Sequence, residues 1–185
     1  MPILVRRSAL LVAMIGFLFG CATVGATTGH PVIIAGYGTP FVMVGGPHAG
    51  VDFAGVNGRT PVIAAADGVV VRVTDHAGGC GKGITIAHVA FNRYTAYCHL
   101  HSVLKFDGEE VKRGEMLGLV GSSGNATGFG IPPHVHMELC TILCSGSIRV
   151  MPWHLNPEPY FAGCFQPSVN YPTERLVLTY PTPCG

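Results

Sequence analysis

At 185 residues the chain has the size of one ordinary domain, and its 26 glycines and 14 prolines, more than a fifth of all residues, exclude a bundle of long helices. Only 11% of residues are charged, against roughly 25% in an average soluble protein, while 48% are hydrophobic, which excludes a disordered chain. A formal net charge of +1, with no run of Lys or Arg beyond the first few residues, excludes the electrostatic footprint of a nucleic-acid binder.

Arg6 and Arg7 precede an uncharged apolar run over residues 9–19. This is the basic and then apolar pattern of a secretory signal peptide, and it is shorter than the ~20 residues a bilayer-spanning helix takes. Leu18-Phe19-Gly20-Cys21 follows and resembles the lipobox of bacterial lipoproteins. The expectation is that residues 1–20 are removed and that a lipid on Cys21 anchors the mature chain to a membrane of the cell envelope. Val24-Gly25-Ala26 is the alternative, an ordinary cleavage site that discards Cys21 and leaves a secreted protein. Loss of residues 1–20 removes two arginines and no acids, so the formal net charge falls from +1 to −1. Cys80, Cys98, Cys140, Cys144, Cys164 and Cys184 remain, an even number with no Cys-x-x-Cys pair. In an exported chain these predict three disulfides rather than a zinc-thiolate site, with the pairing open.

Residues 21–45 read as a lead-in with edge-strand pieces at 31–35 and 40–44. From residue 60 onward the pattern sharpens: 60–66, 68–74, 83–88 and 94–100 are short β-branched or aromatic runs separated by turn signals, and 111–114 and 116–120 continue the series. These predict antiparallel strands. Residues 121–130 form a polar, glycine-rich loop, predicted to be a mobile wall of a groove. Pro132-Pro133 then leads into an alternating strand at 134–139. Residues 164–185 read as a proline-rich strap fixed by Cys164 and Cys184.

Three histidine-bearing pieces carry chemistry: His48-Ala49-Gly50-Val51-Asp52, Tyr97-Cys98-His99-Leu100 and His134-Val135-His136. Side chains two apart on a strand share a face, so His134 and His136 project together. An even separation of four lets His48 and Asp52 do the same on a strand, the better reading given Pro47 and the surrounding glycines. Two imidazoles and a carboxylate are the raw material of a catalytic zinc site, with three protein ligands and one position left for water. Among the rest, His88 reads as a core histidine or as an orienter of a ligand. His101 shares a face with His99 if the strand continues. Glu138 reads equally as a partner of a ligand or a plain salt bridge. Trp153, Tyr160 and Phe161 read as a hydrophobic clasp for the tail, and His30, His76 and His154 fall in no pattern.

In this order, and with Thr60-Pro61-Val62, Ala64-Ala65-Ala66-Asp67-Gly68-Val69-Val70, Val111-Lys112-Arg113-Gly114 and Gly118-Leu119-Val120-Gly121 between them, the pieces resemble the lysostaphin-type, or LytM-domain, zinc metallopeptidases. The resemblance runs from Gly46 to Leu139 and more loosely to Tyr160. It departs at residues 89–93, which lack the usual glycine turn, at the long stretch 129–133, and in the six mature cysteines. It implies a mainly β fold: an antiparallel, two-sheet, barrel-sandwich-like domain of the duplicated-hybrid-motif type over residues 46–163, with a zinc groove. It further implies one Zn2+ per chain held by His48, Asp52 and His136. His99 and His134 are then the catalytic histidines that hydrogen-bond the attacking water and the developing oxyanion. The activity implied is hydrolysis of peptide cross-links in bacterial peptidoglycan, with stem peptides or cross-bridges as substrate. The alternatives are a non-enzymatic LytM-domain activator or wall-binding protein, members of which generally lack a ligand, and a carbohydrate-carrier domain, which needs no such triad.

Overall fold

The computed structural model describes residues 30–41, 45–128, 130–144, 146 and 149–185. The predicted signal segment, Cys21 and the alternative cleavage site after Ala26 lie outside the described residues, as do residues 42–44.

Alternating short runs and glycine turns produce two main antiparallel sheets. The larger has the spatial order β1 (Ile33–Ala35), β4 (Val51–Ala54), β12 (His134–Cys140), β8 (Arg93–Cys98), β7 (Lys82–His88), β6 (Gly68–Asp75) and β10 (Glu110–Val111), with β13 (His154–Leu155) also paired to β12. The smaller holds β5 (Pro61–Ile63), β11 (Met116–Val120) and β9 (Leu100–Val103), and a two-stranded ribbon joins β2 (Pro40–Phe41) to β3 (Gly46–Pro47). The expected mainly β, two-sheet antiparallel architecture is therefore the one found. Val51, Phe53, Ile84, Ile86, Tyr97, Val135, Met137 and Leu139 of the large sheet meet Val62, Leu100, Leu117 and Val120 of the small one, and this apolar layer sets the positions of both.

The C-terminal tail is part of that core. Leu176 and Leu178 belong to the same buried cluster. The tail's main chain ties to β5 and to the bend that follows it: Ile63 N–H donates to Pro181 O at 2.8 Å and Thr179 N–H to Ala65 O at 2.9 Å. Phe161 packs edge-on against Phe53 and Tyr180, with ring centroids 5.7 and 5.4 Å away. Trp153 does not join this group; it packs on Ala96, Cys140 and Cys144, so the expected single clasp is two separate contacts. Leu178→Ala is expected to lower unfolding free energy by about 2–5 kcal/mol, read from the denaturant midpoint, because it leaves a cavity in a core that is closed on all sides.

His88 is a core histidine. Its Nδ1–H donates to Asp67 O at 2.7 Å, and Nε2 pairs with the Thr95 hydroxyl at 2.9 Å, far along β7 from the other histidines. Burial pushes its pKa below the ordinary value. As pH falls through about 6.5, the unfolded chain takes up a proton that the folded one refuses, so this contribution to stability is present above that pH and lost below it. The loss of melting midpoint between pH 7.5 and 5.5 should accordingly be smaller in His88→Gln than in the parent.

All six described cysteines are paired: Cys80 with Cys98, Cys140 with Cys144 and Cys164 with Cys184.

Candidate metal centre and active site

β12 runs between β4 and β8 in a register that sets His136 opposite Asp52 on one side and Cys98 on the other. Directly paired residues share a face, so Asp52, His136 and Cys98 form one row across three strands. Along β12 the alternation sends Val135, Met137 and Leu139 into the core and His134, His136 and Glu138 to the opposite face, yet every residue of the strand is buried.

His48 reaches the row by a different route from the one its spacing suggests. Residues four apart on an extended strand stand about 13 Å apart, too far to share an ion. The chain instead bends at Ala49 and Gly50, and His48 Nε2 comes to 3.1 Å from Asp52 Oδ1. Gly50 makes the bend possible, since a Cβ there would lie 2.2 Å from the Met137 carbonyl oxygen.

His99 also sits at a break. The run expected as one strand over 94–100 is two, β8 in the large sheet and β9 in the small one, with His99 between them at φ 64°. That left-handed conformation costs a non-glycine residue about 1–2 kcal/mol. His101 consequently does not continue a strand with His99, and it is exposed beside Gly58. The His99 ring is held where the sheets meet by Nδ1–H donation to Ser123 O at 2.9 Å. Within the glycine-rich loop, two residues bond to the turn around Cys80: Asn125 N–H donates to Gly79 O at 3.1 Å and Lys82 N–H to Ser123 Oγ at 2.9 Å.

The hydrogen-bond partners fix the tautomers. A carbonyl oxygen only accepts, so His48 Nδ1, 3.0 Å from Gly36 O, and His134 Nδ1, 2.9 Å from Pro132 O, must each carry the hydrogen. His136 Nε2 faces the Glu138 carboxylate at 3.4 Å and donates likewise. His48 Nε2 is thereby left with its lone pair, 2.9 Å from His136 Nδ1, which itself lies 2.8 Å from Asp52 Oδ1. Three electron-pair donor atoms this close repel unless a proton or a metal cation sits between them. Tetrahedral ligands at zinc bond lengths of about 2.0–2.1 Å stand about 3.3 Å apart, close to what is seen. His48, Asp52 and His136 could thus hold a metal ion.

The titration behaviour says the same in another way. Burial opposes the charge on His136, but hydrogen bonds to Asp52 and Glu138 outweigh it and raise its pKa to about 10, a proton standing in for the cation. Burial likewise opposes the charge on Asp52, and the two imidazoles hold its carboxyl far below the usual carboxylate range. His99 is the opposite case: burial first, then the neighbouring His136 and His134, bring it down to about 3. It is a neutral imidazole whose Nε2 accepts. The His99 and His134 rings lie 5.0 Å apart and the His99 and His136 rings 5.8 Å apart, so all five side chains close on one point.

The family model for peptidase family M23 matches residues 46–146, more than half of the chain. This chain belongs to peptidase family M23. Among M23 relatives, the peptidoglycan DD-endopeptidase ShyA of Vibrio cholerae is 44% identical over 94 residues, 50% of this chain and 20% of its own. The catalytic domain of the antimicrobial peptidase lysostaphin from Staphylococcus simulans superposes with a TM-score of 0.60 at 30% identity, covering 70% of this chain and 91% of that domain. A zinc-containing peptidase from Vibrio cholerae gives a TM-score of 0.53 at 32% identity over 66% of this chain and 38% of its own. The chain spans about a fifth of the length of the curated relatives it matches.

Two features of this M23 site escape a reading of motifs. Glu138, fully buried, lies between His136 and His154, with Oε2 3.5 Å from His154 Nε2. Only the pairing of β13 with β12 brings His154 there, and no local pattern announces it. The carbonyls of Gly36, Ser123 and Pro132, which set three histidine tautomers, are backbone atoms and carry no residue-type signal.

Proposed function

We propose that this chain is a zinc-dependent endopeptidase that hydrolyses peptide cross-links of bacterial peptidoglycan at the cell envelope. His48, Asp52 and His136 hold one Zn2+ per chain, and His99 and His134 are catalytic. The observation that carries this reading is the meeting of one potential ligand atom each from His48, Asp52 and His136 within 3.1 Å of one another, beside two further imidazoles. Similarity to ShyA supports the wall cross-link as substrate. Cys21 supplies the lipid anchor that keeps the enzyme at a membrane.

Zinc in this site supplies Lewis acidity, polarising a scissile carbonyl and making water nucleophilic near neutral pH. The chain's own residues move the proton. His99 and His134 offer Nε2 atoms whose orientation is fixed from behind by Ser123 O and Pro132 O. The imidazole that takes the proton of the attacking water becomes a hydrogen-bond donor, stabilises charge developing on the carbonyl oxygen and returns the proton to the leaving amine. No carboxylate base is needed.

The test is digestion of purified sacculi by the zinc-loaded protein, followed by separation of muropeptides. Cross-linked dimers should disappear in favour of monomers, and the new termini name the bond. Unchanged dimers in the presence of fully zinc-loaded protein would overturn the assignment.

A further inference from the structure

Two of the six paired cysteines have a place in the site. Cys98 occupies the row position next to His136 on β8, and the residue that follows it is His99. Its disulfide partner, Cys80, uses its own carbonyl to accept the His99 N–H at 2.8 Å. The turn around Cys80 in turn grips the segment that orients the His99 ring. Ser123 N–H bonds to His99 O at 3.4 Å, Asn125 N–H to Gly79 O at 3.1 Å, and a Cβ on Gly81 would lie 2.4 Å from Gly124 N. Every main-chain and side-chain hydrogen bond described for His99 thus ends on Cys80 or on Ser123, and the disulfide ties the residue before His99, at the end of β8, to that turn. His99 meanwhile holds a left-handed φ of 64° that an unrestrained histidine leaves readily.

We infer that the Cys80–Cys98 disulfide is a positioning element for His99: it fixes the strained junction between the two sheets so that Nε2 points at the reacting centre. The inference rests on the proposed role of His99. It makes turnover, and not metal binding, depend on this cross-link, because His48, Asp52 and His136 are carried by β4, β12 and the bend at Gly50.

A second disulfide provides the control. Cys164–Cys184 closes a loop of 20 residues in sequence separation and Cys80–Cys98 one of 18, so removing either costs the same loop-closure entropy. The hydrogen bonds described for Cys164 go to His30 and Tyr171, not to the five site residues. The experiment uses the full chain exported through an oxidising compartment, and compares Cys80→Ala/Cys98→Ala with Cys164→Ala/Cys184→Ala and with His99→Ala. Both double variants should lose similar amounts of denaturant midpoint and keep the parent's zinc content. Only Cys80→Ala/Cys98→Ala should lose kcat, by about 30-fold or more, with KM within threefold and with faster deuterium exchange of the His99 amide. Ser123→Ala, which removes only the bond from Lys82 N–H, provides the folded test if the first variant is not recovered, and should lose kcat by about three- to tenfold. Parental kcat in Cys80→Ala/Cys98→Ala, or in Ser123→Ala where that variant stands in, overturns the inference, as does an equal kcat loss in the Cys164→Ala/Cys184→Ala control. Full activity of His99→Ala would instead overturn the role of His99 itself.

Discussion

Replacing Asp52 with alanine is expected to weaken zinc binding by at least about 100-fold and to take turnover on cross-linked muropeptides below detection, while the β fold survives. Even partners of ligands typically contribute 10- to 100-fold to metal affinity, and Asp52 supplies the one anionic donor to the cluster, 2.8 Å from His136 and 3.1 Å from His48. Survival of the fold follows from the same contacts. The metal-free protein keeps His136 charged because Asp52 and Glu138 outweigh burial; without the Asp52 carboxylate the balance moves towards the neutral ring, which sheds its proton instead of leaving an unpaired charge inside. Competition with a chromogenic chelator and a melting curve check both halves. Parental zinc affinity in the variant would place the metal elsewhere.

His99→Ala and His134→Ala should show the complementary behaviour: zinc affinity within a few-fold of the parent, and kcat lower by about 10²–10⁴, the range for loss of a general acid–base group. Neither ring is among the three atoms that close on the metal position, and both are oriented by carbonyl acceptors of their own. With ring centroids 5.0 Å apart, the proposed roles place them at one reacting centre, so the double variant should lose much less than the product of the two single losses. Steady-state kinetics beside zinc content separates these outcomes. An unchanged kcat in either variant removes that histidine from the chemistry.

The parts of this protein written in side-chain alternation were legible from residues alone. Val135, Met137 and Leu139 against His134, His136 and Glu138 is a period of two, and it specifies β12, its buried face and its chemical face together. The strand at 116–120 matches β11 to the residue for the same reason. What stayed hidden depends on bends and on backbone atoms. The approach of His48 to Asp52 requires a kink at Gly50 that a strand pattern does not encode. The break at His99 places a histidine where glycine is the usual occupant, so composition gives no sign of it. Disulfide pairing follows from which strands become neighbours, and Cys140 with Cys144 is close in sequence while Cys80 with Cys98 depends on the β7–β8 hairpin.

The most direct measurement is zinc K-edge X-ray absorption on metal-stripped protein reloaded with one equivalent of zinc, made beside the His136→Ala variant. The account predicts one tightly held zinc with only nitrogen and oxygen neighbours at about 2.0–2.1 Å, two of them showing imidazole scattering, and loss of that signal in the variant. Sulfur at about 2.3 Å, or an unchanged spectrum in His136→Ala, would contradict it.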